Sequence, residues 1–167
     1  MTRIALFVLI ASLAFPPAGS SQTAGRQAAG VKAKSAAGPF DPTRDAAQDL
    51  QQAIDQAKSS GKRVLVDVGG NWCGWCREME RFIEAHQDLK ALRDKYFVTV
   101  RVNWSEENKN EAVLSKYPRI PGYPHFFVLD SDGRLLQSQD TSKVEDGQSS
   151  YDLAKFTAFF QKWGPTT

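Results

Sequence analysis

Cysteine is nearly absent from this 167-residue chain, which holds only two. That excludes a disulfide-rich scaffold and leaves each thiol no intrachain partner but the other. Long hydrophobic runs are missing too. The longest, Ile4 to Phe15, is about a dozen residues and falls short of the ~20 that span a bilayer. A mean hydropathy of −0.42 likewise excludes a membrane bundle. Charge of one sign is also lacking, with 21 Lys and Arg against 19 Asp and Glu. Four of the bases, Arg3, Arg26, Lys32 and Lys34, precede the first acid, Asp41, which leaves 17 against 19 from Phe40 onward. A slightly acidic domain without a basic stripe argues against nucleic acid as a partner. What is present is globular material: 41% hydrophobic residues, including ten Phe, four Trp and four Tyr, suit one domain and exclude disorder throughout.

The first residues carry the pattern of an export signal. Arg3 supplies a positive start, Ile4 to Phe15 the apolar stretch, and Ala18-Gly19-Ser20 the small residues a signal peptidase reads. Residues 1–20 are therefore expected to be removed near Ser20, and no Cys follows the apolar run to take a lipid anchor. The expected location is an oxidising compartment, a bacterial periplasm. Residues 21–39 are mostly Ala, Gly, Ser, Gln and Lys, a flexible linker by composition. The folded domain is expected over 40–167.

Within it, Asp41-Pro42 reads as a helix start, with the carboxylate as N-cap, running to Gly61. Arg63 to Val68 is a nearly continuous β-branched run, the mark of a strand buried on both faces, and Gly69-Gly70-Asn71 breaks it. Helices follow from about Cys73 to His86 and from Leu89 to Tyr96, then a strand over Phe97–Val102 and a polar helical stretch over Glu106–Tyr117. Pro121, Gly122 and Pro124 interrupt regular structure ahead of the strand His125–Leu129. Asp130–Gly133 turns the chain into a hairpin strand, Lys143–Ser149 reads as a loop, and Tyr151–Trp163 as a helix with Leu153, Phe156, Phe159 and Phe160 facing in. This order predicts an α/β fold with a mixed sheet of about four strands and helices on both faces.

Cys73-Gly74-Trp75-Cys76 lies where a buried strand feeds a helix. Two intervening residues on one helical turn bring the sulfurs into bonding reach. At the helix start, unpaired backbone N–H groups and the dipole favour a thiolate on Cys73. Cys76, one turn in, can attack a mixed disulfide formed by the first thiol. A purely structural disulfide is one alternative, although so short a ring stabilises by only about 2 kcal/mol on the chain-entropy formula. Half a zinc site is another, but only His86 and His125 could complete it. His86, past the middle of a helix, reads as structural. Asp67 places a carboxylate in an apolar strand six residues before Cys73. Burial should raise its pKa and suit it to accept the Cys76 proton, unless it pairs with Arg101 on the next strand. A cis Tyr123-Pro124 bond would expose the Tyr123 backbone to an extended substrate.

Val66-Asp67, Trp72-Cys73-Gly74-Trp75-Cys76 and Ile120-Pro-Gly-Tyr-Pro124 together resemble the thioredoxin superfamily over roughly Asp41 to Trp163, and most closely its exported members. The resemblance implies a three-layer sandwich with Cys73 as attacking thiolate, Cys76 as resolving thiol, Asp67 as buried acid and Pro124 as the cis-proline. Trp72, Gly74, Trp75, Tyr123 and Pro124 would form the substrate-binding surface. Trp75 stands where cytosolic thioredoxins carry Pro, and the first strand of that fold is not evident. His125 stands where they carry Thr; a protonated imidazole there would stabilise the thiolate, and a hydrogen-bonded residue at a strand start is the alternative. The expectation is a monomeric periplasmic protein-disulfide reductase with no metal and no cofactor beyond its Cys73–Cys76 dithiol. Its partners would be disulfide-containing exported proteins and a membrane thiol electron donor. The rival readings are a disulfide oxidant or isomerase with the same residues, and a copper or zinc carrier using Cys73, Cys76 and His125.

Overall fold

A computed structural model describes residues 38–166. The expected signal peptide at 1–20 and most of the linker, 21–37, lie outside the described residues. The element order is α1 (Ala46–Ser60), β1 (Arg63–Gly69), α2 (Gly74–Ala85), α3 (Gln87–Tyr96), β2 (Phe97–Asn103), α4 (Glu111–Leu114), β3 (His125–Leu129), β4 (Leu135–Asp140) and α5 (Leu153–Trp163). The strands form one sheet in the order β2-β1-β3-β4. β1 and β2 run parallel, with Asp67 opposite Arg101, while β1–β3 and β3–β4 are antiparallel. The α2–α3 pair supplies the crossover that a parallel pair requires.

Alternation along β1 and β3 divides their core side chains between two layers. Val64, Val66 and Val68 of β1 join Phe127 and Leu129 of β3 beneath α1 and α4. Leu65 of β1 and Phe126 and Val128 of β3 pack on the other face against α2, α3 and α5, whose Met79, Leu89, Phe156 and Phe160 fill that layer. The expected α/β sandwich, with helices on both faces of a four-stranded mixed sheet, is what the chain forms.

Boundaries differ from expectation where polar side chains compete for the backbone. Asp41 does not cap α1: its carboxylate accepts from the Thr43 N–H at 2.9 Å and hydroxyl at 2.7 Å, closing a separate turn. Asp45 is the N-cap, accepting from Ala47 and Gln48 N–H. Gly61 closes α1 as expected, with φ of 67° in the left-handed region. The helix expected over 106–117 shrinks to Glu111–Leu114 because asparagine side chains take its backbone groups. Asn103 Nδ2 donates to the Asn108 carbonyl at 2.9 Å, Asn108 Oδ1 accepts from the Asn110 N–H at 3.0 Å, and Asn110 Nδ2 donates to the Asn103 carbonyl at 2.7 Å. The expected loop at 143–149 begins inside a 3-10 turn, Thr141–Val144. Leu153, expected to face in, is 44% exposed because α5 begins with it, behind the Asp152 cap.

No helix among the described residues is long and apolar enough to cross a membrane. Phe156 lies fully buried against Phe82, Phe126, Tyr151 and Phe160. Phe156→Ala should therefore lower the unfolding free energy by about 3–5 kcal/mol, measured by urea denaturation with an unchanged m-value.

Candidate active site

β1 runs out at Gly69 directly behind the cysteine pair. A side chain there would meet the Cys76 sulfur at 2.7 Å and the Phe40 ring at 2.9 Å, so glycine is what lets strand, sulfur and aromatic ring meet. The chain then turns, with the Cys73 N–H donating to the Gly70 carbonyl at 3.0 Å, and α2 starts. Cys73 is the N-cap of α2: its sulfur accepts from the Cys76 N–H at 3.1 Å. The two cysteines form a disulfide with their Cα atoms 5.2 Å apart. Cys73 is 4% exposed and Cys76 fully enclosed, the order expected if the first meets a partner and the second acts within the protein.

Phe40 completes a small cluster with both cysteines, against which Trp75 and Tyr123 pack. It is held by Asn71, whose side chain accepts from the Phe40 N–H at 3.1 Å and donates to the Phe40 carbonyl at 2.7 Å. This clamp ties the start of the described chain to the turn before Cys73, 31 residues away.

Asp67 lies below α2, buried, with Oδ1 lacking any hydrogen-bond partner. Burial pushes its pKa from the ordinary 3.8 up to about 7; the Glu80 carboxylate adds to that rise, while Arg101 and Arg93 oppose it. Arg101 is not its ion-pair partner. The guanidinium instead grips Glu80 through two bonds of 2.8 Å each, leaving Asp67 an isolated acid.

The exposed rim is aromatic. Trp72, 54% exposed, donates its indole N–H to the Trp104 carbonyl at 2.7 Å and stands edge-on to Trp104 and Tyr123. Trp104 stacks on Tyr123 at 5.0 Å. Trp75 faces the other way, edge-on to Tyr151. The Tyr123–Pro124 bond is cis, and the Pro124 carbonyl accepts from the Thr141 hydroxyl at 2.6 Å. Gly74 is exposed at the first turn of α2, where a side chain would meet only the Arg77 guanidinium, at 4.0 Å.

Of the readings of His125, the structure supports the hydrogen-bonded residue at a strand start and not the thiolate neighbour or the metal ligand. His125 pairs across the sheet with Val68 and leans on Phe127, which places its ring in the α1 layer, on the face of the sheet opposite α2. Its Nε2 lies 2.9 Å from the Ser138 hydroxyl, and burial pushes its pKa down, with Asp140 opposing. A ring in the other layer does not stand beside the sulfur. Nor does it complete the metal site with Cys73 and Cys76: among the described residues no three His, Cys, Asp or Glu side chains gather to hold an ion. His86 caps the end of α2, its Nδ1 at 2.7 Å from the Phe82 carbonyl.

Sequence reasoning overlooked Phe40, Asn71, Trp104, Tyr151 and the Glu80–Arg101 pair. Only the Gly69-Gly70-Asn71 break carried a local signal, and it was legible as a turn, not as a packing requirement.

A family model described as thioredoxin-like matches residues 45–131. Among curated relatives, a thiol:disulfide interchange protein DsbD of Pseudomonas fluorescens is 31% identical over 119 residues, covering 71% of this chain and 18% of that protein. The chain thus spans under a fifth of the length of that relative. Among solved structures, a disulphide isomerase from Xylella fastidiosa superposes with a TM-score of 0.64 at 26% identity, covering 74% of this chain and 95% of that one. The oxidised C-terminal domain of Neisseria meningitidis DsbD does so with a TM-score of 0.53 at 21% identity, covering 75% and 99%.

The isolated acid has a measurable signature. The native state holds the Asp67 proton more tightly than the unfolded chain does. Protonation therefore contributes stability that is fully present below about pH 4 and lost as pH rises to about 7. Asp67→Asn should remove that loss. In the disulfide form the variant should be more stable than wild type above pH 7, and the advantage should vanish towards pH 4 in thermal melts.

Proposed function

This chain belongs to the thioredoxin-like family, and on that premise we propose that it is a thiol-disulfide oxidoreductase that reduces disulfides of exported proteins in a periplasm. The observation that carries the reading is the Cys73 sulfur at the N-terminus of α2, receiving the Cys76 N–H, with the unpartnered Asp67 Oδ1 buried in the strand whose end, Gly69, meets the Cys76 sulfur. A sulfur in that position is favoured as a thiolate by the backbone donor and the helix dipole.

In the reduced protein the Cys73 thiolate attacks one sulfur of a substrate disulfide. A Cys73–substrate mixed disulfide forms and the other substrate sulfur leaves as a thiolate. Asp67, as carboxylate, takes the proton from Cys76, whose sulfur attacks Cys73. The Cys73–Cys76 disulfide forms and the second substrate thiolate leaves. Two electrons pass from protein to substrate, and a membrane thiol donor restores the dithiol by the reverse exchange. The chain needs no cofactor or metal for this and acts as a monomer.

Trp72, Tyr123 and Pro124 form the substrate-facing surface, with Tyr123 packed against the cysteine pair and Trp104 extending it; Gly74 and Trp75 form the turn between the cysteines. The direction rests on the likeness of Cys-Gly-Trp-Cys to reductase motifs. The name of the Xylella protein favours isomerisation as a second reading. Equilibration against a glutathione buffer separates them: a reductase should poise near the roughly −270 mV of thioredoxin, an isomerase near roughly −180 mV.

Cys73→Ser should abolish exchange, whereas Cys76→Ser should accumulate mixed disulfides with exported proteins, visible on non-reducing gels and released by dithiothreitol. Absence of such adducts would refute the two-thiol mechanism. In wild type, the rate of mixed-disulfide resolution should fall as pH drops through about 7, because Asp67 is then protonated and cannot accept a proton. Asp67→Asn should resolve more slowly than wild type at neutral pH and should lose the inflection near 7, leaving only the titration of the Cys76 thiol.

A further inference from the structure

The single peptide unit between Trp75 and Cys76 is hydrogen-bonded at both ends. Its N–H, on Cys76, donates to the Cys73 sulfur at 3.1 Å. Its carbonyl oxygen, on Trp75, accepts from the Tyr151 hydroxyl at 3.2 Å. Carbonyl and N–H belong to one conjugated group, so a donor on the oxygen draws electron density through the C–N bond and makes the N–H a stronger donor.

We propose that Tyr151 is a positioning residue that acts on the Cys73 sulfur through this peptide unit, strengthening the Cys76 N–H bond to the thiolate and so favouring the reduced pair. The inference rests on the reading of Cys73 as the attacking sulfur and adds a residue that never touches it.

The surroundings hold the hydroxyl to this task. Tyr151 is 3% exposed, with its ring edge-on to Trp75 at 5.5 Å, Phe82 at 5.9 Å and Phe156 at 5.2 Å. Its backbone bridges to Glu145 across the loop before α5. Burial raises the phenol pKa further, so the proton stays on the oxygen and the group remains a donor. The Thr141 hydroxyl also hydrogen-bonds with the phenol, and it gives its own proton to the Pro124 carbonyl at 2.6 Å. Asp67 from β1, Glu78 from α2 and Glu145 from the loop also act on Tyr151. A neutral phenol adds no charge to that set, so deleting its oxygen changes no charge near the sulfurs.

The experiment compares three full-length variants with wild type. Tyr151→Phe should shift the glutathione equilibrium about two- to threefold towards the disulfide. The Cys73 titration, followed by thiolate absorbance, should move upward, and the Cys76 amide proton should move upfield in the NMR spectrum of the reduced protein. Site-specific 3-fluorotyrosine at 151, a more acidic phenol, should shift all three the other way. Phe82→Leu, which loosens the packing of the Tyr151 ring but keeps its hydroxyl, should lower thermal stability and leave the equilibrium unchanged.

Wild-type values for Tyr151→Phe, or an equal shift in Phe82→Leu, would overturn the proposal while the exchange reading stands. Persistent exchange in Cys73→Ser would instead overturn the reading on which the proposal rests.

Discussion

The contact between the Gly69 backbone and the Cys76 sulfur constrains everything around it. A buried sulfur one helical turn inside α2 can lie against β1 only where the strand has no side chain, and Gly69 is that place. The same gap admits the Phe40 ring, so a residue from before α1 reaches the disulfide. Asn71 then fixes Phe40 by both of its backbone groups, which makes the ring part of the wall. Position after position, the cysteine pair is enclosed by backbone and aromatic carbon and not by charge.

Charge is kept one layer away and sorted. Arg101 faces Asp67 across the β1–β2 register, yet its guanidinium reaches past it to Glu80. A bidentate carboxylate pair satisfies the planar guanidinium better than a single point contact would. The result is one neutralised acid and one that stays in equilibrium with its proton near neutral pH. A buried acid with no ion-pair partner costs stability at alkaline pH, and its place in the strand that ends at the cysteine pair gives that cost a use.

Much of the architecture was legible in the sequence. The β-branched runs at 63–68 and 97–102 marked doubly covered strands, and Gly61 marked the end of α1. The cysteine turn fell between strand and helix as read. Less was legible where the deciding contact is non-local or where two local signals compete. Asp41 and Asp45 are both plausible caps, and the one that first meets a hydroxyl, Asp41 with Thr43, is lost to a turn. Asn103, Asn108 and Asn110 undo most of the polar helical stretch expected over 106–117. His125 begins a strand buried on both sides, so its spacing could not tell which face it takes. Pairing with Val68 settles that it faces away from α2. Phe40 and Tyr151 lie about thirty and eighty residues from the cysteines, and no pattern in their own neighbourhoods points there.

Residues 141–151 touch both lips of the site. The Thr141 hydroxyl holds the Pro124 carbonyl on one side and the Tyr151 hydroxyl holds the Trp75 carbonyl on the other. The segment thus works as a caliper whose jaws are two side-chain hydroxyls and whose span is set by the 3-10 turn between them and by the Glu145–Tyr151 bridge. Residues 146–150 lie beyond that bridge and are tied to α2 by the Ser150 hydroxyl, which donates to Glu78 at 2.7 Å. A residue gained or lost between Thr141 and Glu145 would reset the gap between the proline loop and the cysteine turn.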